Sequence, residues 1–172
     1  MPIRDLDATM KARDGIRLIG NRGVSGIDGT VSTAVGAALA HQGVGQGKTF
    51  ALLGDLALLH DQNGLIMGPE EPRPDLAIVV VNNNGGGIFS GLEQAGHPDF
   101  ERFFGTPHGV SMEHVAAMAG ISHTRVEWVS DLPKALLGEG LRLVEVCTSR
   151  DDSAALRRRM QEAVDHSVEQ IL

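Results

Sequence analysis

The 172-residue sequence predicts an α/β fold, an open and mostly parallel sheet with helices on both faces. Short apolar segments alternate with helix-patterned ones along the chain. Leu76–Val81 is an unbroken apolar run of the kind found in parallel strands covered on both sides. Together with Thr49–Leu53 as a preceding buried strand and Leu56–Met67 as the helix between, it makes a βαβ unit.

In chain order, Ile16–Ile19 is a short apolar run predicted as a strand, and Asn21–Gly29 is a glycine-bearing connector. Thr30–Ala40 has the small, apolar character of a closely packed helix ending near Gly43. After the βαβ helix, residues 68–74 (GPEEPRP) hold prolines that forbid helix and give a stiff surface link. Residues 85–109 are long and mostly non-periodic, with Phe89, Phe100, Phe103 and Phe104 among glycines and prolines, a length that points to a functional loop. Ser111–Ala119 is predicted helical from Ser111, with Glu113 in a first turn that favours an acid. Ser122–Val126 and Leu141–Cys147 are further strands, separated by a helix over Asp131–Leu137, and Asp152–Leu172 is a closing helix.

The totals narrow the function classes. A chain of this size fits one domain that buries about two-thirds of its unfolded surface. With 15 Lys+Arg against 22 Asp+Glu, the net charge of -7 disfavours a general grip on nucleic acid or on an anionic membrane. Three per cent aromatic residues and no Tyr leave little for base stacking. No apolar run approaches the length of a membrane span and the first residues lack a secretory signal, so the expectation is a soluble, cytoplasmic protein. The single Cys147 allows no internal disulfide and is expected as a small core residue of its strand. Glycine is the outlier, at 22 residues of 172 against a usual share of about 7%.

Two strand ends carry the chemistry. Gly54-Asp55 closes one, and Asn82-Asn83-Asn84-Gly85-Gly86-Gly87 closes the other. In open α/β sheets ligands sit beyond the carboxyl ends of the strands. A carboxylate, an amide and a bare carbonyl there suit Mg²⁺, which prefers octahedral oxygen ligands and shares them with substrate phosphates. Gly54 lets a phosphate approach the backbone, and a helix starting near Leu56 offers it N–H groups and a positive dipole. Taken alone, Asp55 reads more readily as a helix cap, and Asn82 and Asn84 read equally as turn formers tolerant of left-handed angles.

Gly54-Asp55 followed by Asn82-Asn83, with Asp55 and Asn83 28 positions apart, resembles the signature of thiamine diphosphate enzymes. Two longer stretches, residues 21–29 (NRGVSGIDG) and 82–89 (NNNGGGIF), together with residues 104–108 (FGTPH), resemble the 2-succinyl-5-enolpyruvyl-6-hydroxy-3-cyclohexene-1-carboxylate synthase family of menaquinone biosynthesis. The likeness covers essentially the whole chain. It implies the thiamine diphosphate-binding fold, and it implies that Asp55 and Asn83 bind Mg²⁺ through side chains and Gly85 through its carbonyl. Ser25, Ile27, Gly54, Leu56, Gly86 and Ile88 are implied to meet the cofactor, Ile27 as a stiff β-branched wedge that bends it. Arg4 and Arg22 match arginines that hold substrate carboxylates, for which the planar guanidinium fork is suited, and Ile88, Phe89 and Leu92 match apolar residues beside cofactor and acceptor.

The implied reaction is a carboligation by a transferase. It decarboxylates 2-oxoglutarate and adds the succinyl-derived unit to isochorismate, with the cofactor holding the electrons. The family's activating glutamate has no counterpart here, so the chain is expected to be the C-terminal, diphosphate-binding domain of a three-domain enzyme, inactive alone. Its active site is expected to form with the pyrimidine-binding domain of a partner subunit in a homo-oligomer. Alternatives are a domain of another thiamine diphosphate-dependent keto acid decarboxylase, or a noncatalytic diphosphate-binding module. A nucleotide-binding reading fails because residues 45–49 (GQGKT) lack the earlier glycine of a Walker motif and lead into a strand. The seven histidines show no tight pair suited to zinc, and Arg157–Arg159 read as a solvated helix face.

Overall fold

A computed structural model describes residues 1–21, 23–24, 26–45 and 47–171. Four parallel strands form the sheet among these residues: β1 (Thr49–Gly54), β2 (Leu76–Asn82), β3 (Ser122–Val126) and β4 (Leu141–Cys147), in the order β1-β2-β4-β3. Every pairing is parallel, with Gly54 opposite Val81 and Asn82 opposite Cys147. Helices are α1 (Pro2–Thr9), α2 (Thr30–Val44), α3 (Asp55–His60), α4 (Met112–Met118), α5 (Leu132–Ala135) and α6 (Arg150–Glu169).

The chain divides into two compact units. The first holds Met1–Asn82 and Gly109–Cys147, hence all four strands; the second holds Asn83–His108 and Thr148–Leu172. In the first, Leu53, Ile78, Val80 and Leu143 pack against α2, α3 and α4 on one sheet face through Val31, Leu58 and Met112. On the other face Val79, Val126 and Val144 pack against Leu132, Ala135 and Leu136 of the α5 segment. The sheet is thus covered on both sides, as the buried run Leu76–Val80 requires. At the amino end of β4 the buried Arg142 donates to Asp75 (3.0 Å) and to the carbonyls of Gly140 and Leu136, a structural tie at the edge opposite the strand tips.

The second unit contains α6 and three single helical turns, Ile88–Gly91, Glu93–Gly96 and Glu101–Gly105, which give form to the stretch expected as a non-periodic loop. Phe104 is its hub, with Phe89 and Phe100 ring centroids at 5.2 and 5.8 Å. Arg150 pairs with Glu101 through two hydrogen bonds of 3.1 and 2.6 Å. Ser149 caps α6, its Oγ accepting from the Asp152 N–H at 3.2 Å, so the helix starts two residues before the expected Asp152.

Several expectations are corrected. Ile16–Ile19 is not a strand: it is irregular, with Ile16, Leu18 and Ile19 exposed, because a four-residue apolar run has no strand beside it to complete its hydrogen bonds. The helix expected over Leu56–Met67 ends at His60, where Asp61 leaves helical angles (φ -129°) and turns its carboxylate to the Ser32 N–H and hydroxyl at 2.7 and 3.0 Å. A 3₁₀ turn over Gln62–Leu65 follows. The Asp131–Leu137 helix shrinks to α5, preceded by a 3₁₀ turn at Val129–Asp131. Cys147 is not a core residue: at the last position of β4 it lies beyond the helices and is exposed. Helix α1 had no signal in the sequence beyond Pro2 at its first turn.

Candidate cofactor and metal site

The carboxyl tips of β1 and β2 stand side by side, since Gly54 is in register with Val81. Asp55, the first residue of α3, is 2% exposed, a deep burial for a carboxylate. Its Oδ1 accepts from the Leu56 N–H at 2.9 Å, so the N–H that the sequence offers to a phosphate already serves the aspartate. Gly54 is extended (φ -84°, ψ 163°), and a Cβ placed on it would meet only the ring of Pro2 at 3.7 Å. This puts α1, which carries the exposed Arg4, at the same strand tip. Ile27 is on the approach to α2, where its carbonyl accepts from the Thr30 hydroxyl at 2.9 Å, and it is 38% exposed. Arg22 and Ser25 lie outside the described residues.

The second unit begins at the next peptide bond. Asn83 Oδ1 is buried with no hydrogen-bond partner among the described residues. An acceptor left in that state costs about 1–3 kcal/mol unless a donor or a cation meets it. Asn84 takes a left-handed angle (φ 57°), as its residue type allows, and its Oδ1 accepts from the His108 N–H at 3.3 Å. Gly85 is buried at φ 141°, and a Cβ there would collide with the Gly105 carbonyl oxygen, to which the Gly86 N–H donates at 2.7 Å. Only glycine fits that bend. Ile88 and Leu92 expose their side chains, while Phe89 is packed on Phe104. Carboxylate, carboxamide oxygen and main-chain carbonyl are all hard oxygen donors, so the residues present fit Mg²⁺.

Sequence reasoning missed a neighbouring group. Glu145, buried in β4, accepts from Asn82 Nδ2 at 2.6 Å and lies 3.0 Å from His123 Nε2; the Cys147 thiol donates to it at 3.5 Å. Burial pushes its carboxyl up, but the hydrogen bonds from Asn82, His123 and Cys147 outweigh this and hold it below the usual carboxylate value. Burial, with the Glu145 charge next, pushes the Cys147 thiol up. The signal was an acid between the apolar residues Val144 and Val146 of the strand, four residues after Leu141.

Comparison with known proteins decides the family. Residues 6–146 match the family described as thiamine pyrophosphate enzyme, C-terminal TPP binding domain. The chain belongs to this family. It is 77% identical over 98% of its length to the 2-succinyl-5-enolpyruvyl-6-hydroxy-3-cyclohexene-1-carboxylate synthase of Thermobifida fusca, covering 30% of that protein. It is 49% identical over 95% of its length to the synthase of the same name from Saccharopolyspora erythraea, covering 29% of it. The family domain thus spans about a third of the length of the curated relatives it matches. Among solved structures, benzoylformate decarboxylase from Polynucleobacter necessarius shares the fold at a TM-score of 0.59 and 23% identity, over 70% of this chain and 23% of that one. The α/β expectation and the family likeness are both borne out. No helix among the described residues of the domain is long and apolar enough to cross a membrane.

Proposed function

We propose that this domain binds thiamine diphosphate through Mg²⁺ held by Asp55, Asn83 and the Gly85 carbonyl, as part of a transferase that decarboxylates 2-oxoglutarate and adds the succinyl-derived unit to isochorismate. The observation that carries the metal assignment is the buried Asn83 Oδ1, without a hydrogen-bond partner among the described residues and one residue past the tip of the strand that pairs with the strand leading into buried Asp55. The substrate assignment is supported by the 77% identity to a synthase whose name describes that product.

In this reading the bound cofactor supplies the electron sink for loss of carbon dioxide. Asp55 and Asn83 fix the diphosphate end through the ion, and Ile27, Gly54, Leu56, Gly86 and Ile88 shape the space around it. Arg4 and Arg22 hold substrate carboxylates with paired N–H donors, and Phe89 and Leu92 supply apolar contacts to the acceptor. The remaining parts of the reading are a partner subunit's pyrimidine-binding domain that completes the active site, a homo-oligomer in the cytoplasm, and no turnover by this polypeptide alone. Self-association is supported by the row Leu156, Met160, Val164 and Val168, exposed at four-residue spacing along α6, and by Phe50 and Leu52 exposed on β1.

Calorimetric titration of thiamine diphosphate into this chain tests the site. Binding is expected with Mg²⁺ and lost with a chelator. Equal binding in both conditions removes the assigned ligands.

A further inference from the structure

We propose that Glu145 is a positioning residue for the cation site, fixing the Asn82 carboxamide and through it the start of the Asn83–Gly86 turn. The cation role rests on the preceding assignment of Asn83; the control of the turn does not.

Side chains alternate along a strand, so Val80 and Asn82 of β2 share a face, and the register places Val80 opposite Glu145 and Asn82 opposite Cys147. Glu145 therefore comes up beside Asn82 at the last rung of the sheet. The contact is short, 2.6 Å from Asn82 Nδ2 to Glu145 Oε1, and hydrogen bonds to an ionised acceptor are shorter than neutral ones. His123 Nε2, reaching from β3, lies 3.0 Å from the other oxygen, so the carboxylate is gripped from both neighbouring strands and cannot swing away from Asn82. Side chains of Glu145 and His123 are 8% and 14% exposed. A solvated surface acid would be neither buried nor held at both oxygens.

The consequence falls on the residue after Asn82. The chain leaves the sheet there and within three residues takes the left-handed angle of Asn84 and the glycine-only angle of Gly85. Asn82 is the last ladder residue before these bends. With its carboxamide tied to β4, Asn82 is held at the point where the chain leaves the sheet, which is the restraint the proposal assigns to Glu145. Partners behind a metal ligand that hold its orientation typically contribute about 10–100-fold in affinity.

The test uses Glu145→Ala, Glu145→Gln, Asn82→Ala and the double variant Glu145→Ala/Asn82→Ala, titrated with thiamine diphosphate in the presence of Mg²⁺. Glu145→Ala and Asn82→Ala are each expected to weaken binding at least about tenfold. Glu145→Gln, which keeps an acceptor for Asn82 Nδ2 and a donor for His123, stays within about threefold of the unaltered chain. The double variant is no weaker than either single, since residues acting through one contact are not additive. Wild-type affinity in Glu145→Ala, a Gln variant as weak as Ala, or losses that multiply in the double variant overturn the proposal.

Amide hydrogen exchange at Asn83–Gly86, followed without any ligand, reads the same role independently. It quickens in Glu145→Ala and in Asn82→Ala, and not in Glu145→Gln; equal rates in all four proteins overturn the positioning role. Should the unaltered chain bind no cofactor, the ligand assignment fails while exchange still decides Glu145. Should Glu145→Ala not fold, Asn82→Ala breaks the same contact from the other side and decides alone.

Discussion

Replacing Asp55 with Asn isolates the contribution of one charge at the proposed cation site. The carboxamide has the same shape and retains an oxygen for the Leu56 N–H, now 2.9 Å from Oδ1, so the start of α3 keeps its hydrogen bond. What it loses is the negative charge at a position only 2% exposed. At thiamine diphosphate and Mg²⁺ concentrations about 100 times the dissociation constant, ligand adds about 2.7 kcal/mol to the stability of the unaltered chain. For a chain of 172 residues each kcal/mol moves the melting temperature about 2–4 °C, so the ligand should raise it about 5–11 °C. A site weakened about a hundredfold by loss of the carboxylate is half filled at that same concentration, and its shift falls to about 1 °C. Thermal melting followed by circular dichroism, with and without ligands, measures both shifts. Equal ligand-induced shifts in the two proteins would refute the reasoning, because the buried carboxylate would then be unrelated to the ion.

Three other outcomes follow from named contacts. Gly85→Ala, at φ 141° and against the Gly105 carbonyl, should destabilise by about 1–3 kcal/mol in urea unfolding, and an unchanged midpoint would mean the turn relaxes freely. Because the folded Glu145 carboxyl is held below its ordinary value of 4.5, its stabilising contribution is complete above that value and is lost as pH falls through the lowered one; Glu145→Gln should flatten this acid limb of a stability-versus-pH curve. Cys147 is exposed yet its thiol is pushed up, so iodoacetamide near about pH 8 should react more slowly than with an ordinary thiol, and faster after Glu145→Gln removes the neighbouring charge.

The strands that build the sheet interior were legible because burial writes itself into composition. Leu76–Val81 reads as an apolar run because Leu76–Val80 is buried, and Leu141–Cys147 is legible from Leu141, Leu143, Val144 and Val146; the structure extends the first strand only to Asn82. Ser111 announced its helix by residue type, and its hydroxyl does accept from the His114 N–H at 3.4 Å. The failures are at places where a distant residue decides. The helix after Asp55 stops at His60 because Asp61 is claimed by Ser32 on α2, a partner no local pattern reveals. Ile16–Ile19 has the residues of a strand without a neighbour to pair with. Asp55 was legible as buried chemistry because Gly-Asp ends an apolar run, whereas Glu145 was passed over because its partners come from two other strands.

The strand order has a consequence for how the chain reaches this state. β2 is flanked by β1, which precedes it closely, and by β4, the last strand along the chain. During synthesis the β1–β2 pair can close early, but the far side of β2 keeps a row of unsatisfied peptide groups flanked by Ile78, Val79 and Val80 until residues 141–147 have emerged. Long-range parallel pairing of this kind is slow and leaves sticky intermediates. A nascent polypeptide halted before β4 should therefore aggregate or recruit a chaperone, and one released just after it should not.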